Sequence, residues 1–597
     1  MDEDLTSYFG PLPADVAPEL HSMLRLHNIS AEELFYKWES YCMKMGPDTR
    51  PTPDTVAAFR KDVREQLEKD VRARSRTQQH QTPARRKPAP AGGADWMMDG
   101  LTPSVKRKSD KGYGTPVKAS RGPSGAPVKG GAPSVFAART NAGEVVEVLN
   151  EHLPQPAMPQ AGAEGGWEAR VRLVANMDIK RFGFRTMHQK LTEASEVVDE
   201  RIDDMMTVVQ EHHGLADEQF GNPSTASPAE VVAVGRIVSD FLDGKLNPAS
   251  VLLEASRRMG AGARVPLKLD AVNSFSFFPG QIVAVRGVNA SGAYFAVTEI
   301  LDIPPPPLPA STAETLAESA SRLAGAPLSV VVASGPYTTE DNLDFEALDE
   351  LCERAARERP DVVILTGPFI DSEHPLVKAG DFEVERERGG PIADLFRERV
   401  STKIQKIENS MVILVPAVTD AISTHVAYPQ DKFKKRFLEL PTNVKLLPNP
   451  ATFSLNEVVF AVSTPDILLH LSSAECRRNP SEPHPIARLS RSLMAQRNYY
   501  PLFPPAEGVN MDVPYCRLAD FINACRPDVL VLPSVLAPTA KVVGGVVVLN
   551  SGAASRRKAA GNWVRLWVGA GAGGEGEGGE VRGHRVFERV RVEVVRV

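Results

Sequence analysis

Six short apolar runs between residues 326 and 597 constrain this chain more than any other feature. They read LSVVVA (328–333), VVIL (362–365), MVILV (411–415), VVFAV (458–462), VLVL (529–532) and VVVL (546–549). Each is too short for a buried helix and none alternates with polar residues, so each fits a strand covered on both faces. Helical patterns lie between them. Phe345, Leu348, Leu351 and Cys352 fall on one face, Leu395, Phe396, Val400, Ile404 and Ile407 on another, and Thr464-Pro465 opens a third helix. The alternation predicts a layered α/β domain over 326–597 with a largely parallel or mixed sheet. In such sheets ligands gather where loops leave the carboxyl ends of the strands.

Two-metal phosphate-ester hydrolysis would require of those loops a dense set of Asp, His and Asn ligands around paired cations. After the first run, where an Asp-x-His pair would serve, stand Ser334, Gly335, Pro336 and Tyr337. The second loop, LTGPFIDSEHP (365–375), has Pro368 in place of a bridging carboxylate, with Asp371 three residues on. The third, VPAVTDAIS (415–423), offers Thr419 and Asp420 where Asn-His would be needed, and LPSVLAPTAK (532–541) has no histidine. Two carboxylates and the isolated His374, His425 and His484 fall short of the ligand count, so no catalytic or metal site is expected. Nor is there a phosphate-binding Gly-rich loop, a dinucleotide fingerprint or a Gly-x-Ser-x-Gly elbow. The run GAGAGGEGEGGE (569–580) is acidic and reads as a loop insertion between the final strands.

Three further regions precede this domain. Residues 1–75 read as a helical docking module: Ser30 and Glu33 form a capping box, and Thr52-Pro53 opens a second helix carrying Val56, Phe59, Val63 and Leu67. Residues 76–165 are rich in Pro, Gly, Ser, Ala and basic residues, the composition of a disordered linker. Its clusters Arg85-Arg86-Lys87 and Lys106-Arg107-Lys108 suit nuclear import, and Thr82, Thr102 and Thr115, each before proline, suit phosphorylation. Residues 166–310 combine WEARVRLVAN, expected as a strand, a long helix over 187–212 and three β-rich runs, RVPLKLDAV, FFPGQIVAVRGVN and AYFAVTEIL. Together they predict an OB-type barrel with a helical insertion. Phe275, Phe277, Phe278, Tyr294 and Phe295 are expected mainly in its core. A net charge of −6 argues against wholesale coating of nucleic acid. Five scattered cysteines fit a reducing compartment, and the acidic start lacks a leader-like apolar stretch, so an intracellular, membrane-free chain is expected.

In this order the parts resemble the B-subunit family of replicative DNA polymerases, and within it the alpha–primase branch. The resemblance is carried by FGFRTMHQKLTEASEVVDERID (182–203), FFPGQIVAVRGVN (277–289), VVVASGPYTTEDNLDFEAL (330–348) and LTGPFIDSEHP (365–375). To these are added FSLNEVVFAVSTPDIL (453–468), RSLMAQRNYYPLFPP (491–505) and RPDVLVLPSVLAP (526–538). The family implies a multidomain α+β protein whose calcineurin-like phosphoesterase-type domain lacks metal ligands and is not an enzyme. It further implies a nuclear scaffold without cofactors that holds the C-terminal zinc-binding region of the catalytic subunit of DNA polymerase alpha. Primase subunits would be reached through the complex, and DNA mainly indirectly, in support of RNA–DNA primer synthesis. Tyr499, Tyr500, Leu502 and Phe503, in a proline-stiffened loop, suit either a partner interface or packing between domains. Three other readings stand beside this one: the B subunit of another replicative polymerase, an active metallophosphoesterase or nuclease, and an independent single-strand binder using the barrel.

Overall fold

The computed structural model describes residues 139–156, 166–240, 245–385, 390–521, 525–571 and 581–597, with isolated residues before them. Two units are distinguished, Met1–Ser124 and Gly125–Val597. In the first, Leu34, Phe35 and Trp38 are helical, as are Thr55, Val56 and Phe59, and the Trp38 and Phe59 rings meet edge to face at 5.0 Å. The capping positions Ser30, Glu33, Thr52 and Pro53 lie outside the described residues. So do Thr82, Thr102, Thr115, Arg85, Arg86, Lys87, Lys106, Arg107 and Lys108, and residues 572–580 of the glycine-rich run.

In the second unit the six apolar runs divide between two sheets. A seven-stranded sheet runs in the order Val145–Leu149, Val590–Arg596, Asn562–Val568, Leu328–Ser334, Val362–Thr366, Met411–Val415, Val444–Leu446, the last four mutually parallel. A six-stranded sheet follows the order Thr539–Val543, Val546–Asn550, Val529–Val531, Val458–Val462, Ala451–Leu455, Leu173–Ala175. Side-chain alternation explains the apolar continuity. Val330, Val332, Ile364, Ile413 and Val415 of the first sheet share one core with Phe453, Phe460, Val462, Val529, Val531 and Val547 of the second. The opposite face of the first sheet, with Val331, Val363, Leu365 and Leu414, packs on Leu348, Leu351, Cys352, Phe396 and Val400 of its helices. Leu530, Val546 and Val548 of the second sheet pack on Leu468, Leu471, Leu489 and Leu493 of the helices Ile467–Ala474 and Pro485–Ala495. The result is four layers, helix–sheet–sheet–helix. Burying each such aliphatic side chain contributes about 1.5–3 kcal/mol.

The expected helix around Leu395 begins at Pro391 and widens into a π turn over Phe396–Ser401. That turn brings Leu395 and Val400, five residues apart, into the same core. The last of the three expected helices is capped by Asp466, two residues after Thr464, with its side chain accepting from Leu469 N.

A closed five-stranded barrel is formed by Ser227–Ser239, Val251–Ala255, Arg264–Lys268, Phe295–Leu301 and Ile282–Asn289. Ala233, Ile237, Leu253, Val265, Val283, Val285 and Phe295 fill it. The helix Leu191–His213 lies against its outside, setting Ile202, Met205 and Val209 on Val232, Val234, Ile282 and Ala284. The three β-rich runs become barrel strands as expected; Ser227–Ser239 and Val251–Ala255 are additional to them.

Two expectations are corrected. The linker does not extend unstructured to 165: Val145–Leu149 pairs antiparallel with Val590–Arg596 as an edge strand of the large sheet. And WEARVRLVAN is not part of the barrel. Its first half is the helix Gly166–Arg170, and Leu173–Ala175 pairs with Ala451–Leu455 in the six-stranded sheet. Arg170 fixes it there, its guanidinium donating to Asp361 (2.6 Å) and to Leu323 O (3.1 Å).

Candidate functional site

The loops leaving the carboxyl ends of the parallel strands form a crest, and its polar side chains are turned on the backbone. Asp420 is almost fully buried, and its Oδ1 accepts from the amides of Phe369 (2.5 Å) and Ile370 (3.2 Å) while Oδ2 accepts from Ala417 N (2.8 Å). One carboxylate therefore ties the loop after Val362–Thr366 to the loop after Met411–Val415. Ala421 N to Ile370 O and Ser372 N to Thr419 O, both 2.8 Å, complete the join. Burial pushes the Asp420 acid up to about 7, against the three amides, which favour its ionised form. Asp371, also raised by burial, accepts from Glu373 N (3.0 Å) within its own turn.

The backbone here comes close enough to require glycine. A methyl on Gly335 would lie 1.9 Å from Pro368 O, and one on Gly367 would lie 2.1 Å from Asp420 Oδ2. Ser334 Oγ meets Ser551 Oγ at 2.8 Å, and the buried Tyr337 hydroxyl donates to Thr366 O (2.9 Å). The histidines are occupied as well. His374 caps the helix Pro375–Ala379 and places Nε2 2.8 Å from Thr339 O. His425 Nε2 lies 3.0 Å from Pro429 O, and His484 caps Pro485–Ala495. Three buried amide side chains, which no sequence pattern singles out, brace the rest. Gln430 donates to Ala417 O (2.9 Å) and His425 O (3.0 Å). Asn449 donates to Thr464 Oγ1 (2.6 Å), and Asn550 accepts from Ser534 N and Gly552 N (both 2.9 Å).

A divalent cation needs several convergent, unengaged oxygen or nitrogen donors. Among the described residues no group of three or more His, Cys, Asp or Glu side chains is arranged to hold one. Of the two crest carboxylates, Asp420 has both oxygens filled by N–H groups, and Asp371 accepts from Glu373 N through one.

The barrel meets the α/β layers along a dense seam. Gln496 acts as a strand segment: its Oε1 accepts from Ile282 N and its Nε2 donates to Ile282 O, both at 2.8 Å in buried surroundings. Arg201 of the long helix pairs with Asp520, and Arg517 with Asp204 (2.7 Å) and Glu200 (3.1 Å). Cys476–Arg478 pairs antiparallel with Phe275–Phe277, flanked by the buried Arg488–Glu475 ion pair (2.6 Å).

Comparison with known proteins decides what this architecture is. The family model for the OB domain of the DNA polymerase alpha B subunit matches residues 195–303, and that for the DNA polymerase alpha/epsilon B subunit matches 330–541. The DNA polymerase alpha B subunit of Schizosaccharomyces pombe is 37% identical, covering 98% of this chain and 99% of that protein. The chain belongs to the family of DNA polymerase alpha B subunits. The Saccharomyces cerevisiae protein of the same name is 30% identical over 99% of both chains, and that of Mus musculus 29% identical over 72% of this chain and 69% of its own.

The OB match of the family corresponds to the barrel with most of its outer helix, and the longer match takes in most of the crest and the α/β side of the seam. Ser334, Pro336, Pro368, Asp371, Thr419 and Asp420 are brought together on the crest. Tyr499, Tyr500 and Leu502 are not available as a partner surface: they are 1%, 3% and 5% exposed, packed in the core beneath the six-stranded sheet. The Tyr499 hydroxyl meets that of Thr452, and Tyr500 Oη lies 3.0 Å from His470 Nδ1. Phe503 is half-buried under the Arg236 guanidinium, its amide donating to Pro279 O (3.1 Å). The end of the loop closes the seam, where a methyl on Gly280 would lie 2.3 Å from Phe503 N. Of the barrel aromatics, Phe275, Phe277, Phe278 and Phe295 are buried, and Tyr294 is partly exposed beside Lys268.

Proposed function

We propose that this chain is the non-catalytic accessory subunit of the DNA polymerase alpha complex, a scaffold whose phosphoesterase-like domain is retained for its shape. The observation that carries the reading is Asp420: the carboxylate positioned where hydrolysis would need a ligand has both oxygens filled by backbone amides. Family membership along nearly the whole chain supplies the complex. The barrel and the α/β layers, joined by Gln496 and the Arg201–Asp520 pair, would hold the C-terminal zinc-binding region of the catalytic subunit. Primase would be reached through the assembly and DNA mainly indirectly, in support of RNA–DNA primer synthesis.

A nuclear location accords with a replicative complex. Arg85, Arg86, Lys87, Lys106, Arg107 and Lys108 would direct import, and Thr82, Thr102 and Thr115 would carry cell-cycle phosphorylation. Among the described residues no helix is long and apolar enough to cross a membrane.

The test is co-purification of the full chain with the C-terminal region of a polymerase alpha catalytic subunit, with a Mn²⁺-dependent phosphodiesterase assay on the same sample. Stoichiometric retention without hydrolysis is expected. Failure to retain the polymerase region, or hydrolysis abolished by Asp371→Ala, would overturn the proposal.

A further inference from the structure

One cation-rich surface belongs to neither the crest nor the seam. The strand Val444–Leu446 is the outer edge of the seven-stranded sheet, and Leu173–Ala175 the outer edge of the six-stranded sheet. Segments beside these edges carry seven cations. Lys180 and Arg181 lie in the turn Ile179–Phe182, Lys432, Lys434, Lys435 and Arg436 in the run DKFKKRF (431–437), and Lys445 on the edge strand itself.

Close approaches place them on one surface. A methyl on Gly183 would lie 3.9 Å from the Asp431 carboxylate, so the turn abuts the start of the basic run. Lys435 Nζ donates to Pro441 O (2.9 Å) and Val444 O (3.2 Å), joining the run to the edge strand. Burial lowers the Lys435 ammonium, with help from the neighbouring charge of Lys445, and Lys445 Nζ stands 5.8 Å from the Trp167 ring.

Several other surface cations are matched, Lys406 with Asp349 and Glu353 and Arg517 with Glu200 and Asp204. Among the described residues none of the seven has a carboxylate partner. Of the carboxylates beside them, Asp178 and Asp431 accept from the backbone amides of Lys180 and Lys432, and Glu439 lies two residues beyond Phe437. In a chain of net charge −6, a concentration of unpaired positive charge along one edge is a local departure. Aromatic rings accompany it: Phe437 ends the run 51% exposed, and Trp167 is half-buried beside Lys445.

We propose that this edge binds single-stranded nucleic acid, with Lys432, Lys434 and Arg436 on phosphates and Phe437 as a stacking platform for a base. Unpaired cations next to an exposed ring suit a flexible strand, whose unstacked bases can reach the ring. A duplex would use the charges and leave the ring idle. The proposal is independent of the scaffold reading, since loss of polymerase binding would leave this surface intact.

The experiment uses the full chain with Arg85, Arg86, Lys87, Lys106, Arg107 and Lys108 replaced by alanine, which removes the two basic clusters of the linker, and every variant is compared in that same background. Fluorescence anisotropy is read on a labelled oligothymidylate of about 20 nucleotides and on a duplex of equal length, and sedimentation is read with phosphatidylserine vesicles. The triple variant Lys432→Ala, Lys434→Ala, Arg436→Ala spares Lys435, which supports the edge strand. It should weaken oligonucleotide binding roughly tenfold or more at low salt and flatten the log–log salt slope by about 2, three phosphate contacts at ~0.7 each. Phe437→Ala should weaken the single strand and leave the duplex unchanged. Melting temperatures are read in parallel, and an unaltered fold is expected in both variants. Oligonucleotide affinity unchanged in the triple variant, duplex binding as tight as single-strand binding, or binding to vesicles alone would each overturn the proposal.

Discussion

Replacing Asp420 with alanine should cost stability and leave no metal-dependent phenotype. The carboxylate is 1% exposed and accepts three amide hydrogen bonds, from Phe369, Ile370 and Ala417. A buried donor left without a partner costs about 1–3 kcal/mol. The lower end applies to each, because the methyl leaves room for water to recover part of the bonding, so the total loss is about 3 kcal/mol. In a domain of this size such a loss corresponds to a fall of roughly 5–10 °C in melting temperature. Differential scanning fluorimetry of the full chain reads the global effect. Hydrogen exchange reads the local one, as faster exchange confined to peptides spanning 366–372 and 415–423. Addition of Mn²⁺ should shift neither the native chain nor the variant. A change below about 1 °C with unaltered exchange would refute the bracing role. A Mn²⁺-induced rise in the native chain that Asp420→Ala abolishes would show that the carboxylate is a ligand after all.

Asp420 also sets a pH dependence. Its acid is raised in the folded chain from 3.8 to about 7, so its contribution is fully present below about 4 and is lost as pH rises through 7. Asp420→Asn cannot titrate, and its melting temperature should vary less between about pH 5 and 8 than that of the native chain. At the seam, Gln496→Leu strands the buried N–H and C=O of Ile282 and should cost about 2–4 kcal/mol, read as faster exchange of the Ile282 amide. Gly367→Ala places a methyl 2.1 Å from Asp420 Oδ2 and 2.6 Å from Ala417 N, and should lower the melting temperature at least as far as Asp420→Ala does.

The layered domain is legible in the sequence because both of its sheets are covered on both faces. That burial writes itself into the chain as runs such as MVILV, all five of whose residues are buried. The strand Val145–Leu149 is not legible. It lies in proline- and glycine-rich surroundings, and the partner that orders it, Val590–Arg596, is more than four hundred residues away. Ser227–Ser239 escapes notice for a related reason, since its barrel-filling positions include the small Ala233 beside the backbone-crowded Gly235. At the crest, the residue types can be read from the chain but their engagement cannot. An aspartate after an apolar strand can face a cation or three amides, and the choice depends on how two loops distant in sequence meet. The loop at 499–503 shows the same limit: a proline-stiffened aromatic run has one composition whether it faces a partner or its own chain.

The crest and the seam are parts of one braced structure, which bears on what such a chain can do. The segment from the six-stranded sheet to the barrel's outer helix crosses the end of the third crest loop. There Phe184 stacks on Tyr515 at 3.8 Å and meets the His425 ring edge-on at 4.6 Å. Tyr428, in the segment after that loop, donates its amide to Asn510 O (2.7 Å) and accepts from Asp512 N (2.9 Å), and Gln189 reaches the Asp512 carboxylate. The loop that Asp420 holds from below is thus held from the side by the barrel's own connection. An enzyme crest needs donors free to engage substrate and metal, whereas Asp420, Gln430 and Asn449 here are tied to the fold itself. A scaffold that holds another protein gains from the reverse arrangement, because each loop ordered before binding lowers the entropy lost on association. Asp420, Gln430 and Asn449 have that effect: they give up coordinating capacity and fix the shape of the surface above them.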